Sequence, residues 1–128
     1  MTASNLLTKA EPKEASRVLD DAHLSRMTLG DTSLEREVLE IFVRQAAMTL
    51  KRFAGADPSL AAAVAHTFKG SACGIGAWRV AHAADRVEQA AGHGNEAALR
   101  DAVTEFEAAS REACEAIGRR LGHGKARA

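Results

Sequence analysis

Apolar residues in this chain recur at steps of three and four and nowhere at a sustained step of two, so the pattern predicts helices and no half-buried strand. The clearest stripe runs over 32–54, where Leu34, Val38, Ile41, Phe42, Ala46, Leu50 and Phe53 share one side of a long helix. Asp57 followed by Pro58 marks the next start: an N-cap, then a proline whose missing N–H costs nothing in the first turn. That helix is expected to run to about residue 72. Another, over about 76–91, turns Ala77, Val80, Ala81, Ala84 and Val87 inward. The last begins after Asn95 and carries Leu99, Val103, Phe106, Ser110, Ala113, Ile117 and Leu121 in a four-three alternation. Ahead of them all, a short helix over 20–29 has Asp20 or Asp21 as its cap and Leu24, Met27 and Leu29 turned inward.

Four long amphipathic helices joined by short turns predict an all-α fold, an antiparallel up-down four-helix bundle with a short additional N-terminal helix. A chain of 128 residues is about one domain's worth, and the bundle is expected to occupy 15–121. The ends, 1–14 and 122–128, lack apolar periodicity and are expected to be flexible. Lys plus Arg equals Asp plus Glu at 17 each, so no global field would recruit nucleic acid or an anionic membrane. No apolar run approaches the ~20 residues that cross a bilayer, and the opening residues lack the apolar core of a secretory signal. With Cys73 and Cys114 far apart, the expectation is a soluble, reduced, cytoplasmic protein with free thiols, most simply a monomer.

A bundle does not name a function, so the function has to come from a site. The stretch AHTFKGSACGIGA, residues 65–77, places Gly70 inside a helix, where glycine costs roughly 1 kcal/mol relative to alanine. At about 100° per residue, Leu60, Ala61, Val64, Ala65, Phe68 and Ala72 fall within an arc of about 140° that forms the core face. His66 lies about 160° from the middle of that arc and faces solvent. Its neighbours on the wheel are Ser59, Ala62, Ala63, Gly70 and Cys73, with Lys69 about 60° to one side. A histidine on a nearly bare surface, a glycine one turn on and a cation within reach together describe a nucleophile that a large partner must approach closely.

Residues 65–88, AHTFKGSACGIGAWRVAHAADRVE, resemble the histidine phosphotransfer (HPt) domains of phosphorelays, whose motif reads approximately His-x-Leu-Lys-Gly-Ser, then a Leu-Gly-Ala turn and a helix ending in Leu-Glu. His66, Lys69, Gly70, Ser71, Gly76, Ala77 and Glu88 stand at the family positions, and Phe68, Ile75, Val80 and Val87 are apolar replacements for leucine. The resemblance extends over about 18–118.

It implies that His66 is phosphorylated at Nε2 by an aspartyl phosphate of a response-regulator receiver domain, downstream of a hybrid histidine kinase. The chain would then pass the group to another receiver. No cofactor is expected on this chain, because the Mg²⁺ belongs to the receiver. Lys69 would offset charge on the incoming phosphoryl oxygens, against the plainer reading of a solvated lysine. Gly70, with Ser59, Ala62, Ala63 and Cys73, would form the docking surface, unless the glycine merely ends the helix early. Glu88 would hold Nδ1 of His66 and leave Nε2 as the nucleophile, although a pairing with Arg86 or a simple boundary position also fits. Trp78 reads equally as a rim contact for the receiver or a cap over the bundle end.

Other chemistries fare worse. A metal site could use His66, Cys73 and His82, but no helix carries a ligand pair of the His-x-x-x-His or Glu-x-x-His kind that bundle metal sites usually show. No Gly-rich nucleotide loop is present, so autophosphorylation from ATP is not expected. A helical interaction module that binds receivers without transferring phosphate remains the alternative; it leaves the joint presence of His66 and Lys69 unexplained.

Overall fold

The structure is a computed structural model and describes residues 18–122. The expectations for residues 1–14 and for the tail beyond Gly122 lie outside the described residues. Five helices follow in order, α1 (Asp21–Met27), α2 (Thr32–Phe53), α3 (Pro58–Ile75), α4 (Trp78–His93) and α5 (Glu96–Leu121). Each long helix packs on its neighbours around a ring, α2 on α3, α3 on α4, α4 on α5 and α5 on α2, while α1 sits against α3. This is the expected four-helix bundle with an extra short helix.

Local sequence explains the starts. Asp20, Asp31, Asp57 and Asn95 each accept a hydrogen bond from the backbone N–H three residues on, at 3.1, 3.1, 2.8 and 3.0 Å, which satisfies one of the orphan donors of a helix N-terminus. Helix α4 has no side-chain cap. Only two residues, Gly76 and Ala77, separate it from α3, because Gly76 takes the left-handed conformation (φ 78°) and the Ala77 N–H returns to the Ala72 carbonyl at 2.9 Å. A β-carbon on Gly76 would also lie 2.9 Å from Cβ of Asp20, so both the turn and the neighbour require glycine.

The core differs from the expected stripes at their edges. On α2 the buried line is Leu39, Phe42, Ala46, Thr49 and Phe53, and Leu34 and Ile41 fall on its outer flank and remain exposed. Leu60, at the start of α3, is also exposed, whereas Ala61 beside it is buried: the neighbouring helices do not reach around to the edge of the arc on which Leu60 lies. On α1, Leu24 is buried but Met27 and Leu29 are not. The helix stops at Met27, Thr28 takes the inward place one turn from Leu24, and its hydroxyl returns to the Leu24 carbonyl at 2.9 Å. At α4 all five residues expected to turn inward are buried, Ala77 at the N-cap and Val80, Ala81, Ala84 and Val87 within the helix. The four phenylalanines link three helices: Phe42 stacks on Phe68 (4.9 Å between centroids), and Phe68 and Phe53 each meet Phe106 edge-on at 5.6 and 5.2 Å.

Trp78 caps the end of the bundle. Its indole N–H donates to Oδ2 of the buried Asp20 at 2.9 Å, and its ring lies 5.0 Å from that of His23. Burial raises the Asp20 pKa, but the hydrogen bonds from Trp78 and the His23 backbone, with the charges of His23 and Arg26, outweigh it and leave the carboxyl below its usual value. Asp20 N–H also donates to the Gly76 carbonyl at 3.0 Å. One aspartate thus starts α1, holds the tryptophan at the head of α4 and ties down the α3–α4 turn.

Candidate functional site

His66 stands in the middle of α3 with 64% of its side chain exposed. Nδ1 lies 3.0 Å from Oε2 of Glu88 on α4. A carboxylate only accepts, so Nδ1 of the neutral ring carries the proton and Nε2 keeps its lone pair on the solvent side. Arg86 does not compete for Glu88, since it pairs with Glu105 on α5 at 2.7 Å.

Around the ring the surface is low. Ser59, Ala63 and Gly70 are exposed and Ala62 is half-buried. A β-carbon on Gly70 would meet nothing within 4 Å, and the helix continues five residues beyond it, so this glycine opens space beside His66 and does not end the helix. Cys73 departs from the expectation of a docking residue: it is 2% exposed. It shares the wheel position of His66 two turns earlier, but α4 starts just beyond Ile75 and covers the last turns of α3. Burial there, opposed by Lys69 and assisted by Asp85, pushes the thiol up to about 11, which makes it a packing group and not a reactive one.

Lys69 also differs from expectation. It is 4% exposed, neither a solvated lysine nor a cation open to an incoming ligand. Its ammonium lies 2.8 Å from Oδ1 of Asp85 and 2.9 Å from Oε1 of Glu88. Burial lowers its pKa, but the hydrogen bonds and charges of the two carboxylates outweigh this and raise it above the ordinary lysine value. Glu88 therefore divides its oxygens, Oε1 to Lys69 and Oε2 to His66.

Asp85 and Gln89 were not singled out from the sequence. Gln89 Nε2 donates to Oδ2 of Asp85 at 2.7 Å, so the chain of contacts runs His66, Glu88, Lys69, Asp85, Gln89. The signal was present in the spacing: Asp85, Glu88 and Gln89 stand at i, i+3 and i+4 on one face of α4, opposite a lysine one turn from the histidine. Among the described residues no three His, Cys, Asp or Glu side chains converge as a metal site, and no helix is long and apolar enough to cross a membrane.

Searches of curated proteins and of solved structures returned no match. The family model described as Hpt domain matches residues 37–119, well over half of the chain and including every member of the His66 network. The chain belongs to the Hpt domain family and thereby to the proteins of histidine phosphotransfer in two-component phosphorelays.

Proposed function

We propose that this chain is a phosphorelay intermediate that carries a phosphoryl group on Nε2 of His66. The observation that carries the reading is the 3.0 Å contact from Nδ1 to Glu88 on a ring otherwise open to solvent. It turns an exposed histidine into an oriented nucleophile, the same division of labour by which a third group fixes the ring in other nucleophilic sites. The donor is the acyl phosphate of a receiver aspartate in a hybrid histidine kinase pathway. The Nε2 lone pair attacks phosphorus, the N–P bond forms as the bond to the aspartyl oxygen breaks, and the receiver carboxylate leaves. The Nδ1 proton stays on its hydrogen bond to Glu88, which offsets the positive charge that develops on the imidazole. A second receiver reverses the step and takes the group onto its own aspartate. The receiver supplies the Mg²⁺ that neutralises the phosphoryl oxygens.

Ser59, Ala62, Ala63 and Gly70 form the low ridge on which the receiver docks. The docked species are a monomer of this chain and one receiver, in the cytoplasm. Incubation with a phosphorylated receiver is expected to label the chain with an acid-labile, base-stable phosphate on Nε2, assigned by ³¹P–¹⁵N NMR, and His66→Gln abolishes it. Label persisting in His66→Gln, or receiver binding without any label on the wild type, overturns the reading; the second result leaves a non-transferring receiver-binding module.

A further inference from the structure

We propose that Asp85 is a positioning residue for His66, acting through Lys69 and Glu88. Its effect on transfer rests on the phosphoryl-carrier reading above, whereas its effect on the His66 ring does not.

Two carboxylates share one buried ammonium. Lys69 Nζ sits 2.8 Å from Asp85 and 2.9 Å from Glu88, so its charge is divided between them. Glu88 consequently keeps part of its negative charge for the Nδ1–H of His66 at 3.0 Å. Were Asp85 neutral, the ammonium would face Glu88 alone. The pair would become one-to-one, the oxygen nearest His66 would be a poorer acceptor, and the lysine would lose its second tether. Asp85 is itself held from its far side by Gln89 at 2.7 Å, so it does not swing to share Glu88's place. The Cys73 thiol, which feels the charges of Lys69 and Asp85, is kept neutral by burial. The Lys69 side chain is 5% exposed and that of Asp85 21%, so water screens this coupling only in part. Asp85 accepts hydrogen bonds from Lys69 and Gln89 and not from the ring. It acts on the tautomer and the basicity of Nε2 at one remove, as outer partners act on a metal-bound histidine.

The test uses the full chain labelled with ¹⁵N-histidine. In the wild type the His66 ring is expected to give the spectrum of the Nδ1–H tautomer. In Asp85→Asn, which keeps the shape and loses the charge, the ring signals are expected to move toward a mixture of both tautomers. Transfer from a phosphorylated receiver is expected to fall roughly 3- to 30-fold, inside the range that coupling within one salt-bridge network spans. Asp85→Glu should restore most of both. In a Lys69→Met background the Asp85→Asn change should have no further effect on the ring, because its route to His66 is gone. A wild-type ring spectrum in a folded Asp85→Asn chain overturns the proposal, as does an undiminished response in the Lys69→Met background. If Asp85→Asn is too unstable to read, Gln89→Ala decides, because it removes the second hydrogen bond that holds Asp85 in place: a wild-type ring spectrum in that variant overturns the proposal. Failure of the wild type to accept phosphate at all would instead overturn the carrier reading and leave the ring spectra to judge Asp85.

Discussion

A side chain added at Gly70 would have room, since a β-carbon there meets no heavy atom within 4 Å. It would also stand beside His66, one turn along the same exposed ridge. Gly70→Gln is therefore expected to raise thermal stability by up to about 1 kcal/mol through helix propensity. Transfer from the receiver is expected to drop on the order of 100-fold, as misplacement of reacting atoms by an ångström does. Melting curves and transfer rates read the two signs separately, and a variant that is less stable yet transfers normally would remove the close-approach role of Gly70. Lys69 is expected to show itself at high pH. Its folded-state pKa is raised, so its contribution to stability is complete below the unfolded lysine value of about 10.4 and is lost as pH rises through the folded value. Lys69→Met should cost about 1 to 3 kcal/mol near neutral pH, having left two carboxylates without their donor. Its deficit relative to the wild type should shrink as denaturation is measured from pH 9 to 12; a constant deficit would mean that the ammonium's charge contributes nothing.

At the scale of the helices, Asp20 joins the start of α1 to the turn between α3 and α4. Asp20→Ala removes a cap and leaves the Trp78 indole N–H buried without an acceptor, so it is expected to cost about 2 to 4 kcal/mol in urea denaturation. Trp78 is the only tryptophan, so its fluorescence reports the loosened end directly. Because the Asp20 pKa is lowered on folding, the part of its stabilisation that depends on charge is present above the unfolded value of about 3.9 and is lost as pH falls through the folded one. The gap between wild type and variant should narrow accordingly in acid. The helices themselves were legible from residue spacing because apolar periodicity and caps act locally; Asp57–Pro58, for instance, opens α3 as expected. The edges were not. Leu34, Ile41 and Leu60 are exposed because a wheel locates a stripe on one helix but not how far the neighbouring helices reach around it.

At the scale of the molecule, the same limit governed the site. His66, Gly70 and the reach of Glu88 to Nδ1 followed from the sequence together with the family motif, since each depends on one helix or on a fixed spacing between two. The burial of Cys73 and Lys69, and the part taken by Asp85 and Gln89, depended on where α4 lies across α3, which no single-helix projection contains. That crossing has a kinetic side. All the groups from His66 to Gln89 lie on one helical hairpin, whose two arms are joined through Gly76 and Ala77. Building the site closes no long loop, and the contacts that define it are among the most local in the chain. The hairpin is thus expected to be an early and cooperative unit of folding, with α2 and α5 docking on it as a later layer. Substitutions at the outer helices can then tune how long the protein survives while the groups that surround His66 keep their arrangement.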